Sequence, residues 1–332
     1  MNELKQGGPP GNRRSHNAMP NLVSLVIPVY NEGETLPYLR NALTEWKTSL
    51  AYGLEVVLVD DGSTDNSFWL LCDWADSDPD IRVISLSRNF GHQAAVTAGF
   101  SFARGDAIVI IDADLQDPLD VIPMMVEKYR EGYDVVYGRR TCREGEGLFK
   151  RFTAWLFYRV MRFLVHRQLP EDVGDFRLVS RRCMDVVLRM GEVHRFLRGM
   201  FAWVGFEQTA VEYRRAARLH GQTKYPFSKM ARLALDAAIS FSTVPIKLIG
   251  WAGLATAAFG FGYAVYSVLQ ALVFHDTVRG WTTLVVLFAL VGGMILVALS
   301  VIGEYVARIY EQVKGRPLYV VKDTRNVDMN GG

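Results

Sequence analysis

The feature that most limits how this chain can fold is a stretch near its carboxyl end that is nearly free of charge. The 56 residues from 248 to 303 contain only two charged side chains, Asp276 and Arg279. These lie in a short turn between uncharged runs of 27 residues (248–274) and 24 residues (280–303). Because a helix of about 20 apolar residues crosses a hydrocarbon core of about 30 Å, each run is long enough to span a membrane. The pattern predicts two membrane helices joined as a hairpin; the alternative is a pair of buried helices in a large soluble core.

Basic residues flank the hairpin on its outer sides and are scarce in its turn. The sequence predicts spanning helices at 244–274 and 280–307, with Arg279 as the one Lys or Arg between them. Loops rich in Lys and Arg stay in the cytoplasm, so both termini are expected there, with residues 308–332 as a cytoplasmic tail. The chain is therefore predicted to be integral to the inner or plasma membrane, with the domain that precedes the hairpin in the cytoplasm. The flanking residues are Lys224, Lys229, Arg232, Lys247, Arg308, Lys314, Arg316 and Lys322.

The composition excludes several other classes of protein. With 37 Lys and Arg against 35 Asp and Glu, the net charge is +2, whereas a nucleic-acid-binding protein carries a strong basic excess. The three cysteines are too far apart for a disulfide framework or a Cys-rich zinc site. Residues 1–20 contain Gly and Pro but no apolar core, so they predict a flexible tail rather than a signal peptide, and we interpret 323–332 in the same way.

From residue 21 onward, short β-rich runs alternate with stretches that favour helix. Such alternation predicts an α/β domain, over residues 21–224, with a mostly parallel, Rossmann-like sheet covered by helices on both faces. The predicted strands are 22–30, 54–60, 82–86, 107–112 and 134–137, and the predicted helices are 34–50, 65–76, 92–103 and 119–131.

Polar side chains follow three of the predicted strands, at the ends where such sheets bind ligands. They are Pro28, Tyr30, Asn31 and Glu32 after the first strand, Asp60 and Asp61 after the second, and Asp112, Asp114 and Gln116 after the fourth. Asp and Gly are also common turn residues, which is the alternative explanation for any one cluster. Three clusters at one edge of a sheet instead indicate a binding site.

The cluster after the fourth strand has the composition of a site for a divalent metal and a diphosphate. Mg²⁺ and Mn²⁺ prefer oxygen ligands and are held by one or two carboxylates together with substrate phosphates. Asp112 and Asp114 can place both carboxylates near one ion, and Gln116 can add an amide oxygen. Asp60 and Glu32 suit a nucleobase or ribose. The sequence contains neither of the common glycine-rich phosphate loops.

The ordered series of motifs resembles the family 2 glycosyltransferases with a GT-A fold, and within them the polyprenyl-phosphate glycosyltransferases. That narrower group contains dolichol-phosphate mannose synthases and bactoprenol glucosyltransferases. The resemblance covers roughly residues 22–322. It rests on segments 27–32, 60–63, 87–91, 112–118, 174–178 and 221–224, and on the terminal hairpin followed by Gly303-Glu304-Tyr305.

The resemblance implies a role for each matched position. The nucleotide sugar would be bound by Pro28, Tyr30, Asn31, Glu32, Asp60, Asp61, Asn89, Asp112 and Asp114. Mg²⁺ or Mn²⁺ would be bound by Asp112, Asp114 and Gln116, and Asp175 would be the catalytic residue beside the anomeric carbon. The role of Asp175 stays open between base, orientation of the acceptor and stabilisation of the oxocarbenium-like centre.

Two further segments carry one apolar face and one basic face, as helices at a membrane interface do. One is at about 148–165, for which packing on the sheet is the alternative, and the other is 225–243. Basic side chains suit a lipid-phosphate acceptor, since Arg binds phosphate through two parallel hydrogen bonds. The candidates are Arg140, Lys150, Arg151, Arg177, Arg198, Arg218 and Lys224. Arg177 is favoured because it follows Asp175 in what we interpret as an apolar loop.

Together these features predict an inverting transfer of one sugar to a polyprenyl phosphate such as undecaprenyl phosphate, for cell-envelope glycan modification. The hairpin and the Gly-Asp-Phe-Arg-Leu motif resemble bacterial glucosyltransferases and favour UDP-glucose as donor; GDP-mannose and UDP-amino sugars are the alternatives. A processive synthase is disfavoured because the sequence lacks Q-x-x-R-W, and a sugar-nucleotide pyrophosphorylase because no Gly-rich loop follows the first strand. A non-catalytic nucleotide-binding membrane scaffold is the alternative outside enzymes.

Two smaller expectations concern assembly and histidine. Gly292-Gly293 in the second apolar run, together with the family precedent, favours a homo-oligomer. The histidines have no metal-binding spacing, and we interpret His92 as a helix-start residue rather than a donor contact.

Overall fold

The computed structural model describes residues 20–140, 173–214, 244–274 and 280–327. The predicted tail at 1–19, the amphipathic segments at 148–165 and 225–243, and the turn at 275–279 lie outside the described residues. So do four candidate phosphate ligands, Lys150, Arg151, Arg218 and Lys224. The chain divides into two compact units, one built on a sheet and the other containing two long helices.

The first unit is built on a single sheet of eight strands. They are β1 (Leu22–Val29), β2 (Gly53–Asp60), β3 (Ile81–Leu86), β4 (Ala107–Ile110), β5 (Val135–Arg140), β6 (Val173–Ser180), β7 (Gln208–Tyr213) and β8 (Val321–Arg325). Their order across the sheet is β7-β5-β6-β4-β1-β2-β3-β8. Six strands run in one direction, whereas β6 and β8 run antiparallel to their neighbours. The predicted mostly parallel sheet is confirmed, and six carboxyl ends lie at one edge.

Six helices among the described residues belong to the same unit. They are α1 (Leu36–Lys47), α2 (Ser67–Ser77), α3 (His92–Phe102), α4 (Val121–Arg130), α5 (Arg181–Arg189) and α6 (Leu197–Trp203). The elements predicted for the first half agree with β1–β5 and α1–α4 to within about three residues. The central strands are buried along almost their whole length, as expected when helices cover both faces of a parallel sheet.

The Gly-Asp-Phe-Arg-Leu segment corrects the sequence interpretation, because it is part of β6 and not a loop. β6 lies between β4 and β5 and is antiparallel to both. Gly174 and Phe176 to Ser180 are all buried, so neither face shows the polar alternation by which a half-exposed strand is recognised. Because β6 runs antiparallel to β4 and β5, its amino end lies at the edge where those two strands have their carboxyl ends.

The carboxyl-terminal segment is a second correction. The sequence predicts a flexible tail at 323–332, yet Val321–Arg325 form β8, which pairs antiparallel with β3. Three of the five residues in β8 are charged, so the strand has no hydrophobic pattern to reveal it. Charged side chains are common on edge strands, where they discourage pairing with other chains.

The second unit contains two long helices, α7 (Val244–Phe274) and α8 (Trp281–Val313). Both occupy the segments for which the sequence predicts spanning helices, and α8 continues past the predicted end at 307 to Val313. The hydroxyl of Thr256 in α7 donates a hydrogen bond to Sδ of Met294 in α8 at 2.8 Å. Of the residues that the structure describes, one segment, Val291–Val313, is long and apolar enough to cross a membrane, and none of it is buried.

Candidate active site

The candidate active site lies at the edge of the sheet where the six parallel strands end. On the antiparallel pair β4 and β6, Ile110 lies opposite Arg177. Continuing that register by two residues sets Asp112 opposite Asp175. Two carboxylates that are far apart in sequence therefore meet because β6 runs against β4.

Two basic side chains, His92 and Arg198, contact the carboxylate of Asp175. His92 Nε2 lies 3.3 Å from Asp175 Oδ2 and 3.9 Å from Asp112 Oδ1. Arg198 donates from Nε to Asp175 Oδ1 at 2.8 Å and from Nη2 to Oδ2 at 3.2 Å. This two-pronged contact fixes the plane of the carboxylate as well as its position. His92 begins α3 and Arg198 lies in the first turn of α6, so two helix starts hold Asp175.

The charges in this cluster shift the titration of its members in opposite directions. Burial by itself would raise the pKa of Asp175, but the charge of Arg198 and hydrogen bonds from His92 and Arg198 hold it well below its usual value. Burial raises the pKa of Asp112 to about 6, and the negative charges of Asp175 and nearby carboxylates add to that rise. Asp175 is therefore a poor proton acceptor, whereas at Asp112 burial outweighs the opposing effect of His92, which lowers the pKa.

A second group of side chains organises the turn after β2. Asp60 accepts a hydrogen bond from the Ser85 hydroxyl on Oδ2 at 2.9 Å. Asp61 accepts the backbone N–H groups of Phe90 at 2.8 Å and Gly91 at 2.9 Å. Burial raises the pKa of Asp61 despite these two donors. Asp60 thus binds β3 itself and Asp61 binds the chain that follows β3, and together they give this side of the site its shape.

Asn31 links the chain after β1 to the chain after β2. Its Oδ1 accepts the backbone N–H of Thr64 at 2.8 Å, and its own N–H donates to Ser63 Oγ at 3.0 Å. The Asn31 backbone adopts the left-handed conformation, with φ of 54°, which Asn tolerates better than most residues. Ser63 and Thr64 are thus both engaged with Asn31, and α2 begins later, at Ser67.

The remaining residues after β1 have separate roles. Tyr30 is 46% exposed, so its ring is available to a ligand, and Pro28 is half-buried within β1. Glu32 accepts a hydrogen bond from the Thr35 hydroxyl at 2.9 Å, and its carbonyl accepts the N–H groups of Thr35 and Leu36. In this structure Glu32 therefore serves the start of α1.

The predicted metal ligands lie in one short segment after β4. The backbone N–H of Gln116 donates to Asp114 Oδ1 at 3.1 Å, and Leu115 between them has a positive φ of 55°. Within the described ranges, no group of three or more His, Cys, Asp or Glu side chains is arranged to hold an ion by itself. Two carboxylates completed by substrate phosphates nevertheless fit Mg²⁺ or Mn²⁺.

Arg140 lies beside the cluster at the end of β5. Its Nε is 3.5 Å from the hydroxyl of Tyr213, which in turn donates to Asp117 Oδ1 at 2.5 Å. A Cβ at Gly174 would lie 3.0 Å from Arg140 Nη2, so glycine gives the guanidinium room next to Asp175. Arg140 thus remains a candidate for binding an anion.

Arg177 has a different environment from the one the sequence suggests. It is 4% exposed within β6, its Nη2 donates to the Gly174 carbonyl at 3.0 Å, and its guanidinium lies over the Phe201 ring at 5.0 Å. Burial lowers its pKa to about 10. Its contacts support the strand that carries Asp175, which makes it a poor choice for a solvent-borne phosphate.

Sequence reasoning set aside one residue of this site and missed another. His92 is the helix-start residue that the sequence suggests, but it also contacts Asp175. Its position after the loop that follows the third strand was the available signal. Tyr213 ends β7, which lies outside the predicted elements, and no motif marks it.

Comparison with known proteins identifies the family to which the chain belongs. The Glycosyl transferase family 2 domain matches residues 24–188, and the chain belongs to that family and is a glycosyltransferase. A glycosyltransferase of Bacillus subtilis, YkcC, is 45% identical over 92% of this chain and 94% of its own. The prophage bactoprenol glucosyl transferase homolog of Escherichia coli is 39% identical over 90% of this chain and 98% of its own.

A relative from phage and a solved structure complete the comparison. The bactoprenol glucosyl transferase of Shigella phage SfV is 39% identical over 91% of this chain and 99% of its own. A mannosyltransferase from Pyrobaculum calidifontis, in complex with GDP-Man and Mn²⁺, has a TM-score of 0.46 at 16% identity. That likeness covers 91% of this chain and 90% of the mannosyltransferase.

Proposed function

We propose that this glycosyltransferase transfers one glucose from UDP-glucose to a polyprenyl phosphate, with inversion at the anomeric carbon, at the cytoplasmic face of the membrane. The observation that carries the proposal is the meeting of Asp112, His92, Asp175 and Arg198 at one edge of the sheet. Relatives named bactoprenol glucosyl transferase support the acceptor and the sugar.

The donor is assigned to the edge formed by the ends of β1, β2 and β4. Tyr30 offers an exposed ring to the uracil, and the turn at Asp60 and Asp61 shapes the pocket for base and ribose. Asp112, Asp114 and Gln116 would hold Mg²⁺ or Mn²⁺ together with the diphosphate. When bound, that ion would neutralise charge on the departing UDP.

The acceptor phosphate is assigned to Arg140. Arg140 is partly exposed, it is held by Tyr213, and it lies beside Gly174 next to Asp175. Arg198 already donates two hydrogen bonds to Asp175, so we assign it to binding that carboxylate rather than the acceptor phosphate. Apolar helices α7 and α8 suit a lipid-borne acceptor, because an enzyme kept at the membrane meets it there.

The proposed reaction is a single displacement. An oxygen of the lipid phosphate attacks the anomeric carbon, a new carbon–oxygen bond forms, and the bond to UDP breaks with its electron pair leaving on the diphosphate. A phosphate monoester is ionised near neutral pH, so no base has to remove a proton. Asp175, kept ionised by Arg198 and His92, is suited to orient the acceptor or stabilise positive charge at the sugar carbon.

A donor panel tests the assignment. The purified full chain is incubated with undecaprenyl phosphate, Mn²⁺ and radiolabelled UDP-glucose, GDP-mannose or UDP-N-acetylglucosamine in turn. We expect label in the lipid fraction with UDP-glucose at a rate at least tenfold above the others. A preference for GDP-mannose would identify GDP-mannose as the donor in place of UDP-glucose. Nucleotide binding without lipid labelling by any donor would favour a non-catalytic nucleotide-binding scaffold.

A further inference from the structure

β8, the strand that follows the second long helix, is hydrogen-bonded to the end of β3, where the segment that shapes the donor side of the site begins. β8 pairs with β3 from Val83 opposite Arg325 to Leu86 opposite Val321. Where β3 ends, the backbone N–H of Ser87 donates to the Val320 carbonyl at 2.8 Å. The carboxyl-terminal segment therefore contacts the first residue of the segment Ser87–Gly91, which we call the β3–α3 loop.

The β3–α3 loop packs against the turn after β2. Its Phe90 and Gly91 N–H groups donate to Asp61, as described above. A Cβ at Gly62 would lie 2.4 Å from the Arg88 carbonyl carbon and 2.7 Å from the Asn89 nitrogen, so the two backbones are in close contact. Gly62 also has a φ of +67°, which a larger residue adopts only with strain. A shift of the loop would consequently move the turn.

The far end of β8 is held by side-chain hydrogen bonds. Nδ2 of Asn326 donates to the carbonyls of Ala75 at 2.6 Å and Ile81 at 2.9 Å, on the two elements before the loop. Arg82 Nε donates back to the Asn326 carbonyl at 3.3 Å. Asn326 adopts a positive φ of 54°, which turns the chain at the end of the strand. β8 is therefore fixed at both ends rather than resting loosely on the sheet.

We propose that β8 is a positioning element for the nucleotide-sugar site, because it fixes the β3–α3 loop against the turn at Asp61 and Gly62. The assignment rests on the proposed function in placing the donor at this edge. It predicts that loss of β8 weakens donor binding, while the acceptor, assigned to Arg140 at the end of β5, is bound as before. Without Val320 and β8, the first N–H of the loop loses its partner and β3 becomes an edge strand.

A pair of truncations tests the proposal. One variant ends at Tyr319 and lacks β8, and the matched control ends at Val327 and keeps it. We expect the KM for the donor to rise about tenfold in the shorter variant, with the acceptor KM and kcat within twofold of the control. A donor KM within twofold of the control, or a parallel rise of both KM values, would overturn the proposal.

A milder variant covers the case in which the shorter chain does not fold. Asn326→Gly permits the positive φ and keeps the backbone carbonyl but removes every hydrogen bond that Nδ2 donates. We expect its donor KM to rise about threefold and amide hydrogen exchange to quicken in residues 87–91. Unchanged exchange together with an unchanged KM would contradict the proposed positioning role of β8. If the unmodified chain transfers no sugar, the proposed function fails, and the UDP dissociation constants of the same variants then decide the role of β8.

Discussion

Replacement of Arg198 by glutamine should slow the reaction without weakening the binding of either substrate. Arg198 contacts Asp175 through two hydrogen bonds of 2.8 and 3.2 Å, and the side chains are 35% and 16% exposed. Hydrogen bonds to charged groups contribute about 1.5–3 kcal/mol, and partial exposure to water reduces this to about 1–2 kcal/mol. Since about 1.4 kcal/mol corresponds to a tenfold change in rate, kcat should fall roughly 5- to 30-fold.

Steady-state kinetics with the full chain in detergent measures this effect. Arg198→Lys keeps the charge but loses the two-pronged geometry, so its kcat should lie between those of wild type and Arg198→Gln. Arg130→Gln is the matched control, because Arg130 makes similar contacts of 2.9 and 3.0 Å with Glu127 on the exposed side of α4. An unchanged kcat in Arg198→Gln would refute the orientation of Asp175 by Arg198, and a raised acceptor KM alone would make Arg198 a phosphate ligand instead.

Three further predictions concern the same site. Asp175→Asn should lower kcat by about 10³-fold or more while the dissociation constant for UDP stays within about twofold, and a large loss of UDP binding would contradict the assignment. Asp114→Ala should abolish the Mn²⁺ dependence of UDP-glucose binding measured by calorimetry, with undiminished transfer as the contrary result. Because burial raises the pKa of Asp112 to about 6, protons should compete with the metal below that pH. Mn²⁺ affinity should therefore be constant above pH 6 and decline below it. A decline that starts only near pH 4 would show that Asp112 has the pKa of an ordinary carboxylate.

The first half of the sheet could be predicted from the sequence because its strands carry continuous apolar runs and its helices begin at recognisable signals. The polar residues at the strand ends could be predicted for the same reason, since a parallel sheet brings them to one edge. β6 could not, because it is buried on both faces and carries Asp175 and Arg177 in a run that resembles a loop.

The pairing of Asp175 with its partners depended on information that the sequence does not hold. Antiparallel insertion of β6 sets Asp175 opposite Asp112, and α6 then supplies Arg198 from 23 residues further along the chain. β8 was hidden by its charges and by its distance in sequence from β3. In both cases the sequence analysis lacked a pairing between strands that are distant in sequence, because local periodicity does not show which strands pair.

The central claim, that this chain makes a lipid-linked monosaccharide at the sheet edge, is tested most directly by analysis of the product. Purified protein, UDP-glucose, Mn²⁺ and undecaprenyl phosphate are incubated, and the lipid fraction is examined by mass spectrometry and proton NMR. We expect a lipid heavier by one hexose, with the anomeric configuration inverted relative to the donor and no such product from Asp175→Asn. A retained configuration, a series of products with several hexoses, or equal product from Asp175→Asn would contradict it.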